Sequence, residues 1–274
     1  MQVNFILRTL AIYWRDKWAI FWSLFASLIT LLIYIFFLRA NLLTSLPSHV
    51  QAGKFLDLWM IAGLISVLCV SASLTPFEQR IKDVLTHKQD DFRVNNHMSK
   101  LSLSVSYLVV AIIETSVSVL LFILFAFGYL YLENKKLITW MMFGQTIFWA
   151  FLLILFGCLF FACVTNLVHS LSVFSSLSGL VGALTGFLCG SYIPVGSLPH
   201  YMQVLVDKWP GFEFAGIMRH IMVKNFSLPS SYQSNLFKDL GILSNGNQVL
   251  TVFLVWIFVL FVIWLLELRW IKKD

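Results

Sequence analysis

A run of 70 residues, Leu137 to Val206, contains no aspartate, glutamate, lysine or arginine. This run is more than three times as long as the roughly 20 apolar residues that cross a bilayer as a helix. No soluble core explains such a run. The chain is therefore predicted to be an integral membrane protein, as its 59% of hydrophobic residues also indicates.

Apolar segments long enough to cross a membrane recur along the chain. Each extends for about 20 residues with few or no charges, which is the length that a transmembrane helix needs. Six such spans are predicted, at residues 18–38, 58–77, 103–131, 140–166, 172–193 and 249–266. The sequence therefore predicts an all-α integral membrane protein in which residues 1–274 form a single transmembrane domain.

The segment before the first span, residues 1–17, has the pattern of an amphipathic helix. Helical spacing places Phe5, Leu10 and Tyr13 on one side and Arg8 on the other. A helix with this pattern lies in the plane of the membrane interface. An N-terminal surface helix is therefore predicted.

Basic residues are distributed unevenly between the predicted loops. Lysine and arginine number three before the first span, five after the second and three after the sixth, against two in each of the first two loops on the opposite side. The side with more lysine and arginine is the cytoplasmic one. Both termini are therefore predicted to be cytoplasmic, and residues 78–100 are predicted to form a cytoplasmic loop.

Residues 194–248 follow the fifth predicted span and are expected outside the cell. The stretch GFLCGSYIPVGSLPHYMQVLVDKWP contains Pro194 and Pro199, which interrupt a helix near the membrane interface. The apolar pieces in this segment are shorter than the hydrocarbon core is thick. We therefore predict short re-entrant outer helices between the fifth and sixth spans.

Two features inside the predicted spans are candidates for function. Glu114 is the only acidic residue well inside a span, and an intramembrane carboxylate is costly. It is either a substrate contact or conformational latch, or a group held by nearby hydroxyls such as those of Thr115, Ser116 and Ser118. In the fifth span, small residues recur every four positions, which indicates close helix packing or a face that lines a cavity. This small-residue stripe consists of Ser178, Gly182, Gly186 and Gly190.

Together, these patterns resemble the transmembrane subunits of type V ABC exporters, also called ABC type-2 permeases. The resemblance rests on the basic surface helix that runs into RDKWAIFWSL, the loop that ends DDFRVNNHMSKLSLSVSYLV, the six spans and the landmark residues of the outer segment. In the loop, Asn95 and Asn96 stand near the place where the family has a proline. The outer landmarks are Gly190, Tyr192, Ile193, Pro194, Leu198, Pro199, Pro210 and Arg219.

The resemblance implies one half of a membrane pore. Such a subunit pairs with a second permease subunit, as a homodimer or heterodimer, and is driven by two cytoplasmic ATPase subunits. This sequence has no Gly-x-x-x-x-Gly-Lys-Ser/Thr motif, so ATP and magnesium are expected on the partner ATPase and no cofactor on this chain. The expected activity is outward transport, by alternating access, of an amphipathic or hydrophobic peptide, drug or lipid-linked molecule. The expected location is the plasma membrane of a prokaryote.

Candidate site residues follow from the resemblance and from the intramembrane glutamate. The loop at residues 78–100 is expected to couple the permease to the ATPase, with Phe92 as an aromatic anchor between charges. The candidate coupling residues are Arg80, Asp83, Asp90, Asp91, Phe92 and Arg93. The candidates for the translocation path or its gate are Glu114, Gly186, Gly190, Tyr192, Pro194, Leu198 and Pro199.

Three other functions are weighed against this one. A secondary transporter usually shows internal repeats, and here the two halves differ. An intramembrane enzyme with Ser176 as nucleophile would lack the Gly-x-Ser-x-Gly elbow. An ABC importer permease would carry a Glu-Ala-Ala motif, which is absent. No metal site is expected, because the cysteines and histidines lack ligand spacing, and no nucleic-acid partner is expected. The four cysteines are expected to be packing residues.

Overall fold

The computed structural model describes residues 2–15, 17–39, 52–95, 97–133, 138–224, 237–242 and 245–270. All regular secondary structure in these ranges is helical, which confirms the predicted all-α fold class. Single turns of π-helix and 3₁₀-helix lie at Tyr34–Leu38 and Val195–Ser197. The α-helices are α1 (Gln2–Arg15), α2 (Lys17–Ile33), α3 (Ala52–Ala72), α4 (Phe77–Leu85), α5 (Lys88–Asn95), α6 (Lys100–Glu133), α7 (Trp140–Asn166), α8 (Leu171–Leu188), α9 (His200–Asp207), α10 (Pro210–Val223) and α11 (Gly246–Trp270).

Five helical segments in the described ranges are long and apolar enough to cross a membrane. They correspond to the second through sixth predicted spans. The segments are Gly53–Leu85, Lys100–Leu132, Trp140–Asn166, Leu171–Leu188 and Gly246–Arg269. The first predicted span is helical as α2 and the following π-turn, but α2 itself has only 17 residues and is not among the five. Five membrane-spanning helices are therefore supported by length and composition, and the first predicted span stays a prediction.

Helix α3 lies at the centre of the domain. It packs against α6, α7, α8 and α10. Of its most apolar 18-residue window, 89% is buried inside the chain, against 17% for α8 and 22% for α11. A helix that is apolar all round and buried by its neighbours belongs to the core of a bundle, whereas α8 and α11 present broad apolar faces outward.

Polar caps fix where three long helices begin. The side-chain oxygens of Ser99, Thr139 and Ser170 accept hydrogen bonds from backbone amides three residues later, at 3.1–3.2 Å. A cap of this kind satisfies an amide that has no partner inside its helix. The residues between the fourth and fifth predicted spans therefore form a short turn, after which the chain continues as α8.

Close backbone approach holds α7 against α3. A Cβ atom added to Gly157 of α7 would lie 2.6 Å from Ser73 Oγ, which itself donates to the carbonyl of Cys69 at 2.6 Å. Small residues allow this approach between membrane helices. All four cysteines are free and buried, and Cys69 and Cys158 belong to this packed core.

Candidate functional site

The loop predicted at residues 78–100 folds into two short helices, α4 and α5. A turn at Thr86 and His87 separates the two helices. Thr86 Oγ1 donates to the carbonyl of Lys82 at 2.8 Å, and His87 has a φ of 55°. A left-handed residue ends a right-handed helix, so α4 stops there and α5 leaves in a new direction.

Arg80 on α4 points toward the ends of two spanning helices. It donates to Thr165 Oγ1 at 3.3 Å and to Asn166 Oδ1, both at the end of α7. Asn166 Nδ2 then donates to Glu267 Oε2 of α11 at 2.7 Å. This chain of hydrogen bonds connects α4 with the neighbouring ends of α7 and α11.

Asp83, one turn further along α4, is also turned inward. Its side chain is buried and accepts hydrogen bonds from Tyr107 Oη at 2.7 Å and Gln79 Nε2 at 2.8 Å. Arg8 Nη1 of α1 lies 3.9 Å from the same carboxylate. Arg80 and Asp83, which were both predicted to contact an ATPase, therefore bond within this chain and anchor α4 to α1, α6, α7 and α11.

Phe92 on α5 packs on helix α1. Its ring meets Phe5 edge to face at 5.1 Å between centroids, and the Arg8 guanidinium lies 4.7 Å from the centre of the Phe92 ring. Phe5 in turn packs edge to face on Tyr107 at 5.2 Å. The predicted aromatic anchor of the loop therefore packs against helix α1 of the same chain.

The outward side of α4 and α5 combines charges with exposed apolar groups. Asp90, Asp91 and Arg93 are exposed, and Arg93 Nη1 lies 3.5 Å from Asp90 Oδ1. Val84 and Leu85 are 45% and 46% exposed on the same pair of helices. A surface of this composition can dock another protein through an apolar centre with charges around it.

At the opposite end of the domain, helix α8 stops in a tight turn. Gly190 has a φ of 60°, which favours glycine. A Cβ atom on Gly186 would lie only 2.1 Å from the Tyr192 ring, so the chain folds back directly over the end of α8. Gly186 and Gly190 are therefore required by the turn itself.

Arg219 of α10 closes this turn. Its side chain is fully buried, and Nη2 donates to the carbonyls of Cys189 and Gly190 at 2.8 Å each. The guanidinium carbon lies 4.9 Å from the centre of the Trp59 ring of α3. Burial lowers the pKa of Arg219 to about 10, so the side chain remains charged at neutral pH. The carbonyls at a helix C-terminus carry partial negative charge, which favours this cation.

Leu198 and α9 cover the turn from outside. Leu198 packs on a small cluster of Val195, Val206 and Phe212, and Gln203 Nε2 donates to the Leu198 carbonyl at 2.8 Å. Most of α9 is nevertheless exposed. Leu205, at 57%, is an example of an apolar side chain on its open face. An apolar face of this size on a short helix suits a membrane interface.

A family model described as "ABC-2 type transporter" matches residues 4–223, which is most of the chain. The chain belongs to the ABC-2 type transporter family. A search of curated proteins finds no match. The family confirms the resemblance seen in the sequence and makes this chain the permease component of an ABC transporter, a multi-pass membrane protein rather than a catalytic domain.

The match includes both regions described above. It begins in α1, passes through the α4–α5 pair and ends at Val223, the last residue of α10. ABC-2 permeases normally work with an ATPase subunit. The α4–α5 pair and the turn after α8, called the outer turn because it is predicted to face outward, both lie within the matched residues.

Glu114 of the permease is buried beside a cavity of about 230 Å³. The cavity lies between α1, the α3–α4 junction and α6. The sequence left open whether Glu114 has a function or is held by neighbouring hydroxyls; in the structure Thr115 Oγ1 donates to the Ala72 carbonyl at 3.3 Å and Ser118 pairs with Tyr13 at 3.1 Å. In the described ranges no hydrogen bond or ion pair joins Glu114 to another residue.

The small-residue stripe of α8 divides into two parts. Gly186 and Gly190 are buried and filled by the chain's own Tyr192 and Phe212. Gly182, by contrast, has no atom within 4 Å of an added Cβ, and Ser178 is half-buried. The stripe therefore serves internal packing near the outer turn and leaves an open surface further along α8.

Three residues of these networks were not predicted from the sequence. Arg219 was identified only as a family landmark, and Asn166 and Glu267 were not singled out. For Asn166 and Glu267 the sequence did contain a signal: each is a polar residue at the end of an apolar span. Such a residue faces water unless another residue bonds to it. Their mutual contact, however, joins positions 101 residues apart and follows only from the packing of α7 on α11.

Proposed function

We propose that this permease is the membrane-spanning subunit of an ATP-driven exporter of the type V architecture. It pairs with a second permease subunit and is driven by two ATPase subunits that bind ATP and magnesium. The cargo is amphipathic or hydrophobic: a peptide, a drug or a lipid-linked molecule. Transport is outward and proceeds by alternating access in the plasma membrane of a prokaryote.

The observation that supports this proposal is the two-sided arrangement of α4. Arg80 and Asp83 connect its inner side to four other helices, while the outer side of the α4–α5 pair carries exposed charges and apolar groups. Movement of a protein docked on the outer side would therefore pass through hydrogen bonds into α7 and α11. We propose that Asp90, Asp91 and Arg93 contact the ATPase, and that Arg80, Asp83 and Phe92 transmit the movement.

We further propose six spans with both termini in the cytoplasm. The α2 segment supplies the first span, and α1 lies flat on the inner surface. The excess of lysine and arginine in residues 78–100 supports this orientation. Helices α9 and α10 then form the outer re-entrant element, because their lengths of 8 and 14 residues are too short to cross a bilayer.

The outer turn is proposed to gate the path. Tyr192, Pro194, Leu198 and Pro199 lie where α8 gives way to α9, and the open face of α8 around Gly182 is proposed to face the path or the second subunit. Glu114 occupies a separate cavity behind α1 and is proposed as a latch whose surroundings change with α4.

Reconstitution with the partner ATPase tests the proposal. The permease and candidate ATPase subunits encoded beside it should co-purify and hydrolyse ATP in a vanadate-sensitive manner. Inside-out vesicles should accumulate a hydrophobic dye or an amphipathic peptide when ATP is added outside. Accumulation only by right-side-out vesicles would contradict export, and failure of any ATPase to bind would contradict the ABC mechanism.

A variant on α4 tests transmission separately. Arg80→Met removes the donors to Thr165 and Asn166 and should leave ATPase binding intact while lowering transport per ATP hydrolysed. Lys208→Met, which removes an exposed basic residue at the outer end, is the matched control and should behave like the wild type.

A further inference from the structure

A second cavity lies at the end of the bundle that is predicted to be cytoplasmic. Its volume is about 660 Å³, and it separates the beginning of α6 from the end of α11. Arg93 of α5 reaches it from the side. Neither the proposed transport path nor the Glu114 cavity includes this space, since different residues line them.

The charged residues that line this cavity are all basic. They are Arg93, Lys100 and Arg269, each on a different helix. Lys100 is also the first residue of α6, whose 34 residues direct the positive end of a long helix dipole toward the same place. Backbone amides at a helix N-terminus favour an anion, and here three cations reinforce them. The mouth of the cavity is therefore suited to a phosphate or another compact anion.

Apart from Ser99, the remaining wall of the cavity is apolar. Val262, Leu265 and Leu266 form it along α11, and Leu266 is 50% exposed. These residues continue directly into the outward-facing apolar side of α11. A soluble anion would gain nothing from such a wall, whereas an acyl chain would bury apolar area against it.

We infer that this cavity binds an anionic phospholipid of the inner leaflet. Its phosphate lies among Arg93, Lys100 and Arg269, and one acyl chain follows α11 into the membrane. Basic pockets between helices at the cytoplasmic side of a membrane protein have the chemistry that lipid head groups need. Because Arg93 belongs to α5, the bound lipid connects the proposed docking helix to the ends of α6 and α11.

Lipid binding can be measured on the complete permease chain without an ATPase, so failure of this inference is distinguishable from failure of the proposed function. The chain is purified in a mild detergent and mixed with equal amounts of phosphatidylglycerol and phosphatidylcholine of the same acyl chains. Native mass spectrometry then measures the retained lipid. We expect the wild type to retain mainly phosphatidylglycerol.

Substitutions identify the site. Arg269→Gln and Lys100→Gln should each weaken retention of phosphatidylglycerol by about fivefold, which corresponds to the loss of one basic residue near an anionic head group. Arg269→Lys keeps the charge and should restore most of the retention, which also shows that the fold tolerates substitution there. Arg15→Gln removes an exposed basic residue at the end of α1, outside the cavity, and should retain lipid as the wild type does.

Three results would overturn the inference. The first is equal retention of the two lipids by the wild type. The second is a loss in Arg15→Gln as large as in Arg269→Gln, which would mean general surface charge and no built site. The third is displacement of phosphatidylglycerol by millimolar inorganic phosphate, since the apolar wall would then contribute nothing.

Discussion

Arg219 holds the outer turn closed through hydrogen bonds to two backbone carbonyls. Arg219→Met keeps a side chain of similar length over Trp59 but removes every donor. The carbonyls of Cys189 and Gly190, which accept hydrogen bonds at 2.8 Å, would then have lost this partner. The outer turn, which follows α8, should therefore separate from α10 more often.

The size of this effect follows from the two short hydrogen bonds. A hydrogen bond to a charged group contributes about 1.5–3 kcal/mol, so two contribute at least about 3 kcal/mol. Burial of the guanidinium, which lowers its pKa to about 10, opposes this stabilisation. The net contribution of the two hydrogen bonds is therefore taken at its lower limit. A change of about 3 kcal/mol in the free energy of local opening multiplies the open population about 150-fold.

Cys189 reports the opening directly, because its side chain is fully buried in the closed turn. In a chain whose other three cysteines are replaced by alanine or serine, a small thiol reagent should label Cys189 about a hundred times faster in Arg219→Met than in the parent. Lys224→Met, at the end of the same helix, should leave the rate unchanged. Equal labelling rates for Arg219→Met and its parent would refute the role assigned to Arg219.

Three further predictions concern topology, gate and latch. A cysteine at Lys208 should react with a membrane-impermeant thiol reagent added to whole cells, whereas a cysteine at Lys88 should react only after the membrane is opened; the reverse pattern would invert the proposed topology. Replacing Leu198 and Leu205 together by serine should loosen the outer gate and raise ATPase activity without cargo, and unchanged ATPase activity, transport and selectivity would exclude that role. Glu114→Gln removes a buried carboxylate that has no hydrogen bond or ion pair in the described ranges, so the temperature of thermal unfolding should not fall. Transport should fall at least severalfold. Full transport would show that the carboxylate has no role in the transport cycle.

Much of the fold was predictable because membrane helices are encoded locally. Long apolar runs must satisfy their backbone hydrogen bonds internally, so the third through sixth predicted spans appear as helices whose limits lie within five residues of the predicted ones, and the second lies inside the longer segment Gly53–Leu85. The predicted first span differs. Its helix becomes a π-turn at Tyr34, where Tyr34 Oη donates to Asp57 at 2.9 Å and Arg39 pairs with the same carboxylate at 2.8 Å. Composition gives no sign of such a contact.

The site was less predictable, because the direction of a side chain depends on packing between distant segments. A charged loop looks solvated in sequence, yet α4 turns Arg80 and Asp83 toward the bundle and leaves Asp90 and Asp91 outside. The sequence predicted either close packing or a cavity-lining face for the glycines of α8; Gly186 packs against the chain itself, whereas Gly182 is open. That Gly186 accommodates Tyr192 of the same chain follows only from the turn that comes after it.

The central claim, that the outer side of α4 and α5 receives the ATPase, is tested by a charge exchange that keeps the net charge. Lys88→Asp combined with Asp91→Lys alters this surface only, since both side chains are exposed and neither lines the basic cavity. Asp207→Lys combined with Lys208→Asp makes the equivalent exchange at the outer end and serves as the control. The measurement is the amount of ATPase subunit that co-purifies with each permease at equal expression. Our account predicts at least a tenfold loss for the first pair, in line with the loss of more than about 1.4 kcal/mol at a docking hot spot, and none for the second. Undiminished co-purification by the Lys88 and Asp91 double variant would contradict it.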